Sequence, residues 1–314
     1  MRFSSLLPVG SRRRQLVRRL LIDVEPPQHL ARKFRQIAGV PFDVNLEEDE
    51  IGDTFAGRVT IARRYVVPWL SRARPLEGCR ILEIGCGAGA STIAFAEQGC
   101  HITGVDIDSE AIAKAEKLCK AHGFDANFLV ANATDVPRVL AGQRFDFIIF
   151  YASIEHMTHE ERIEAIRGTW NMLAPGDFWC ITGTPNRLWL YDYHTAYLPF
   201  YFWLPDDLAM AYAAQSKRKG FRELYTDRSE ENTLHFLRRG RGVSYHEFDL
   251  AMRPTPTLDV ISSMGIEWRE QRALNKWRWQ FTNDFAYEKC LRRAAPDIHP
   301  GFFQRSLDIL IRKD

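Results

Sequence analysis

The chain lacks any C-x-x-C pair among its six cysteines, Cys79, Cys86, Cys100, Cys119, Cys180 and Cys290. Several of them fall inside apolar runs. This pattern excludes a disulfide framework and a cysteine zinc site, and it reads as a reduced, cytoplasmic protein. No apolar run is long enough to span a membrane. An excess of one charge is also missing. The 42 basic and 40 acidic residues give a net charge of +2, which argues against a nucleic-acid partner. Repeats and low-complexity tracts are absent. What remains is a 314-residue chain with 46% hydrophobic content. That suits one large α/β domain with additions.

Charge is unevenly placed. The first twenty-two residues carry six arginines (Arg2, Arg12, Arg13, Arg14, Arg18, Arg19) and no acid. Leu16, Val17, Leu20 and Leu21 fall on one helical face there. A basic amphipathic helix on an anionic membrane is one reading. A leader, a partner-docking helix and a solvated segment are others. The stretch from Asp43 to Asp53 is acidic and reads as a linker or flap, and Arg58 to Trp69 reads as helix.

The most informative stretch runs from Arg80 to Gly99. It reads as a buried strand, a turn with Gly85, Gly87 and Gly89, and a helix from about Ala90. Alternate glycines let the backbone turn sharply and approach a ligand without Cβ interference. The following helix offers free N–H groups. Asp106 ends a second apolar run, where a nucleotide-binding α/β unit places a carboxylate on ribose hydroxyls. Two ligand classes use such turns. A dinucleotide pattern can be forced onto Gly85, Gly87 and Ala90. Glu83 suits a ligand carrying an ammonium and a sulfonium, and it would repel a pyrophosphate.

The run E-x-G-x-G-x-G, Glu83 to Gly89, resembles motif I of the class I S-adenosylmethionine (SAM) dependent methyltransferases. Phe145 to Met157, an apolar strand followed by Glu155-His156, resembles motif IV of small-molecule, ubiquinone-type O-methyltransferases. The turn Ala174-Pro175-Gly176-Asp177 before a strand at Phe178 to Thr182 is another shared feature. The resemblance covers roughly Pro75 to Asn186. It implies a Rossmann-like α/β fold with a seven-stranded, mostly parallel sheet and an antiparallel last strand. It also implies SAM as cofactor. Glu83 is then expected near the methionine ammonium, with Gly85, Gly87 and Gly89 as the floor beneath it. Asp106 would take the ribose hydroxyls and Ile107 would lie against adenine. Asn132 and Ala133 would border the adenine edge, where the family commonly has an acid in place of Asn132.

Further elements follow from pattern. A helix is expected from Ser109, its cap, to His122, with a strand from Ala126 to Ala131 and a helix from His159 to Leu173. Near the C-terminus, Ser263 to Ile266 reads as a helix end, and Glu267 to Ala273 and Ser306 to Arg312 as the last strands. The expected organisation is an N-terminal helical extension (1–74), the SAM-binding core (75–185), an inserted aromatic and basic lid (186–245) and a segment completing the sheet (246–314).

The insertion carries eight aromatics between Trp189 and Trp203. They can wall a substrate pocket, form a satellite core or make a dimer contact. Its wording, TPNR…DYHT…LPF, resembles bacterial methyltransferases of polysaccharide and secondary-metabolite clusters. A basic stretch follows (Lys217, Arg218, Lys219, Arg222, Arg238, Arg239, Arg241); it can steer an anionic substrate or be a solvated face. Methyl transfer to a hydroxyl needs a base, and histidine suits the task. His194, with Asp192 two residues away, and His156, with Glu155, are the candidates; His159 reads as a helix start. The ligands do not cluster as a metal site requires, so none is assigned. The leading expectation is SAM-dependent methylation of a small-molecule or glycan hydroxyl. A nucleic-acid methyltransferase, a nicotinamide oxidoreductase and a non-catalytic SAM-binding or membrane-associated protein are the alternatives. A homodimer and peripheral contact with the inner membrane face stay open.

Overall fold

The computed structural model describes residues 54–218, 221, 228–270 and 283–314. The basic N-terminal segment and the acidic stretch lie outside them. So do Lys219 and Arg222. The described residues divide into two compact units, a core of 54–188 with 240–314 and an insertion of 189–239.

The core opens with helix α1 (Phe55–Ile61), a five-residue π-helical turn (Ala62–Val66) and α2 (Val67–Ala73). Then follow β1 (Arg80–Ile84), α3 (Ala90–Ala96), β2 (His101–Asp106), α4 (Ser109–Ala121), β3 (Asn127–Val130), the short α5 (Val136–Val139) and β4 (Phe147–Tyr151). Next come α6 (His159–Met172) and β5 (Phe178–Pro185). The insertion holds α7 (Asp206–Tyr212) and α8 (Glu230–Leu237). The chain closes with α9 (Tyr245–Ala251), β6 (Asp259–Ser263), α10 (Met264–Glu270), α11 (Asn283–Ala294) and β7 (Ser306–Arg312).

The seven strands form one sheet in the order β3-β2-β1-β4-β5-β7-β6. β7 alone runs antiparallel to its neighbours, and the pairs from β3 to β5 are parallel. The strand order reverses between β1 and β4, so the crevice for a ligand opens at the carboxyl ends of those strands.

Side-chain alternation divides the core between the two sheet faces. Ile81, Phe147, Ile149 and Cys180 pack with Trp69, Leu70 and Phe95 on one face. Leu82, Ile148, Phe150, Trp179 and Ile181 pack with Ile166, Trp170 and Phe248 on the other. The helices before β1 therefore belong to the core. Trp69 Nε1 donates to Ser262 Oγ (2.7 Å), and Trp179 Nε1 donates to Thr169 Oγ1 (3.0 Å).

Two expectations need correction. Of the strand expected at Glu267 to Ala273, the described part, Glu267–Glu270, is helical as part of Met264–Glu270, positions 271–273 lie outside the described residues, and the strand β6 lies earlier, at Asp259–Ser263. Val260 and Ile261 supply the β-branched side chains a strand favours, and pairing with β7 fixes the register. The cap of α4 is Asp108, whose Oδ1 accepts from the backbone N–H groups of Glu110 (2.9 Å) and Ala111 (3.2 Å). Asp108 has the extended backbone a cap needs, whereas Ser109 is already helical.

The insertion buries Tyr201, Phe202, Phe221 and Phe236 with Ala196, Leu198, Ala209, Met210 and Ala213 as a core of its own. Trp203 is exposed.

Candidate active site

The glycine turn joins β1 to α3. Gly85, Gly87 and Gly89 all have positive φ, at 75°, 51° and 80°, a region costly for other residues. They differ in surroundings. A Cβ on Gly85 would lie 2.3 Å from Ser153 Cβ, and one on Gly89 would lie 3.1 Å from Ala115 Cβ. A Cβ on Gly87 would meet nothing within 4 Å. Gly85 and Gly89 thus let the loop pack down on its neighbours, and Gly87 faces open space.

Glu83 is wholly buried beneath this turn. Ser91 Oγ donates to its Oε1, and Thr92 Oγ1 donates to Oε2 at 2.6 Å. Burial pushes its carboxyl up to about 7, against the two hydroxyl donors and with some help from Asp106. Glu83 therefore bolts α3 to β1, and any effect on a methionine ammonium passes through that fixed geometry.

Asp106 braces the turn from β2. Its Oδ2 accepts from Gly87 N (2.8 Å) and its Oδ1 from Asp108 N (3.0 Å). Beside it Ile107 is 62% exposed, and Val130 at the end of β3 is 54% exposed. Two apolar side chains are thus left uncovered at the carboxyl edge. Asn132 caps the short 3-10 turn of Ala133–Asp135, its Oδ1 accepting from Thr134 N and Oγ1, both at 3.1 Å. The amide oxygen of Asn132, the residue expected at the adenine edge, thus already serves two donors. Ala133 is buried.

The loop after β4 is tied to this turn. Ala152 takes φ 47°, and Ser153 Oγ donates to Ile84 O (2.7 Å). Ser153 is the residue that presses on Gly85. Glu155 is fully buried, its Oε2 accepting from Thr184 Oγ1 of β5 (3.1 Å). His156 follows with its side chain 47% exposed and its Nε2 3.9 Å from Glu155 Oε1. His159 starts α6, and its Nδ1 is 3.9 Å from Glu247 Oε1.

Asp192 and His194 belong to the insertion. The buried Asp192 carboxylate accepts from the backbone N–H groups of His194 (2.8 Å), Thr195 (2.7 Å) and Ala196. It organises the loop backbone. His194 Nδ1 is 3.1 Å from Thr195 Oγ1, and Arg218 of the basic stretch donates to the carbonyls of His194 and Thr195.

Several residues at this edge were absent from the sequence reading. Ser91, Thr92, Ser153 and Thr184 are hydroxyl donors without a motif of their own. Asp308 lies in the apolar run of β7 and accepts from Thr182 Oγ1 and Gly183 N, both at 2.8 Å. It satisfies the N–H exposed where β5 slips register against β7. Burial raises its carboxyl above the ordinary range. Arg162 stands on the apolar stripe of α6 with Ala165, Ile166, Thr169 and Trp170; a charge at that position was the available signal. Among the described residues, no group of three or more His, Cys, Asp or Glu could hold a metal ion, and no helix is long and apolar enough to cross a membrane.

Residues 81–176 match the "Methyltransferase domain" family. A "Ubiquinone biosynthesis O-methyltransferase" of Rhizobium leguminosarum bv. trifolii is 35% identical over 229 residues, 71% of this chain and 75% of the relative. The chain belongs to the class I SAM-dependent methyltransferases. An uncharacterized Haemophilus influenzae protein is 29% identical over 41% of this methyltransferase, which spans only 55% of that relative. Among solved structures, a Synechocystis magnesium protoporphyrin IX methyltransferase with bound S-adenosylhomocysteine (SAH) is 19% identical, with a TM-score of 0.38 over 55% of this chain and 75% of that one. The residues at the glycine turn fit SAM. Gly87 leaves an open face, Asp106 presents a braced carboxylate, and Ile107 and Val130 are exposed apolar side chains, a set compatible with a ligand that carries a ribose and an adenine.

Proposed function

We propose that this methyltransferase acts on a hydroxyl of a small molecule or glycan, with His156 as general base. The observation that carries the reading is the placement of the Glu155-His156 pair. It follows β4 directly, at the carboxyl edge that carries the glycine turn, and Ser153 fastens its loop to Gly85 and Ile84. SAM supplies a methyl group on a sulfonium, a good leaving group. The protein must then hold the acceptor oxygen in line and take its proton. The half-exposed imidazole of His156 can accept that proton, and its Nε2 stands 3.9 Å from the buried Glu155 carboxylate. The relatives' O-methyltransferase names agree with an oxygen acceptor. The net charge of +2 favours a small acceptor over a nucleic acid.

The test is transfer of tritiated methyl from SAM to a panel of phenolic and sugar hydroxyls, with an RNA and a DNA oligonucleotide as controls. An alkali-stable methyl ether that H156Q fails to form, and H194Q still forms, supports the reading. Loss with H194Q alone moves the base to the insertion, and methylated nucleic acid replaces the proposal. SAH titration of Asp106→Ala checks the cofactor side. Its affinity should fall by at least tenfold, because the ribose acceptor and the brace on Gly87 go together.

A further inference from the structure

The Arg162 side chain does something that the methyltransferase motifs do not account for. It is 3% exposed, yet its main hydrogen-bond acceptors are three backbone carbonyls. Nε donates to Met157 O (3.0 Å), Nη2 to Glu155 O (2.9 Å) and Nη1 to Gly242 O (2.5 Å). Nη1 also lies 3.6 Å from Glu247 Oε1. The Glu247 carboxylate is itself fixed, its Oε2 accepting from Ser244 N (3.0 Å) and Ser244 Oγ (2.8 Å).

The carbonyls of Glu155 and Met157 stand on either side of His156. Holding the first orients the peptide plane that enters His156. The bond to the second restrains the chain just past it. A planar fork with five donors can grip several carbonyls at once, whereas an ammonium is a point charge that imposes no such geometry. Arg162 projects from the first turns of α6, whose start is fixed by a capping box between Thr158 and Glu161. The grip therefore has a rigid base. Its third carbonyl, Gly242, belongs to the strip that re-enters the core after the insertion. Arg187 N donates to Val243 O (2.8 Å) and Val243 N donates to Pro185 O (2.9 Å), so that strip is sewn to the end of β5.

We propose that Arg162 is a positioning residue for methyl transfer, one that sets the direction of the His156 imidazole by clamping the carbonyls around it to the strip at Gly242. The inference rests on the reading of His156 as the base. It places the aim of that base under the control of a residue that touches neither substrate nor cofactor. A displacement of about 1 Å at a reacting group can cost about a hundredfold in rate, so the clamp has leverage on turnover.

The experiment compares the full-length wild type with R162K, H156Q and R162K/H156Q. R162K keeps the positive charge beside Glu247 and loses the fork. SAH affinity is measured by titration calorimetry, kcat and KM with the acceptor found in the panel, and the setting of the His156 imidazole by the NMR chemical shifts of its ring, assigned by their loss in H156Q. The expected result for R162K is SAH affinity within about threefold of wild type and kcat lower by roughly a hundredfold. Its His156 ring resonances should be displaced as the imidazole swings away from Glu155. The double variant should be no slower than H156Q. A purely structural role would lower stability but leave kcat of the folded protein and the His156 ring resonances at wild-type values, and that result overturns the inference. If H156Q keeps full activity, the base assignment falls by itself, and the His156 ring resonances in R162K still decide whether Arg162 holds the loop. R162Q, with one amide in place of the fork, gives the same comparison should R162K fold poorly.

Discussion

At the scale of single residues, the glycine turn makes a sharp contrast available. Gly85 and Gly87 share a positive φ, but only Gly85 is pressed by a neighbour. Gly87→Ala should cost about 1 kcal/mol, the strain of a left-handed alanine. Gly85→Ala adds a Cβ that would sit 2.3 Å from Ser153 Cβ. It should cost on the order of 3 kcal/mol and also weaken SAH binding, because the loop after β4 must move. Urea denaturation and SAH titration of both variants check this; equal costs would remove the packing argument. Glu83 makes a second prediction. Its carboxyl rises from 4.5 to about 7 in the folded protein, so between these values the native state holds a proton that the unfolded state has released. The contribution of this group is then full below about pH 4.5 and is lost as pH rises through 7. The linkage amounts to about 3 kcal/mol. The fall in stability between pH 5 and pH 8, measured by denaturant titration, should shrink by about that much in E83Q. Asp308 is shifted in the same direction and should supply the slope that remains.

At the scale of elements, the sequence was legible wherever a period or a motif imposed the answer. β4 is buried on both faces and reads as a continuous apolar run, and β1 and β2 are buried after their exposed first residues and read as short, mainly apolar stretches. The glycine turn and Asp106 could be placed from spacing alone. β6 could not, because it is a five-residue edge strand containing Asp259, Ser262 and Ser263, and it is defined by its pairing with β7. Arg162 was hidden for a related reason. Its partners are backbone carbonyls, and a carbonyl carries no letter in the sequence. Helix α6, which presents Arg162, starts at a capping box in which Thr158 Oγ1 accepts from Glu161 N (3.3 Å) and Glu161 Oε2 accepts from Thr158 N (2.9 Å). T158A should therefore cost about 1 kcal/mol in global stability. It should reduce kcat by more than that loss alone implies, because fraying this turn loosens the base of the clamp. A loss of stability with unchanged kcat would confine Thr158 to the helix.

At the scale of the whole molecule, the six thiols report on how the fold opens. Cys79, Cys86, Cys100, Cys119 and Cys180 are buried and Cys290 is exposed, all of them free. A thiol reagent should find one fast site in the native protein and six after denaturation. The slow sites need not open together. Cys180 lies in the central β5 and is wholly buried, so its reaction should follow global unfolding. Cys86 lies in the glycine turn, and its Sγ would be 2.9 Å from a Cβ on Gly104 of β2. The short bolt from Glu83 to Ser91 and Thr92 is what holds that turn down, so local opening should expose Cys86 first among the buried thiols. Burial also pushes its thiol well above the ordinary range, which keeps it inert until the turn opens. SAH bound to the closed turn adds RT ln(1 + [L]/Kd) to the cost of that opening. At a hundred times Kd this is about 2.7 kcal/mol, or about a hundredfold slower modification. Mass-spectrometric labelling with and without SAH would measure both rates. Selective protection of Cys86 would place the cofactor over the turn. Equal slowing of Cys86 and Cys180 would mean that the turn opens only when the whole sheet does.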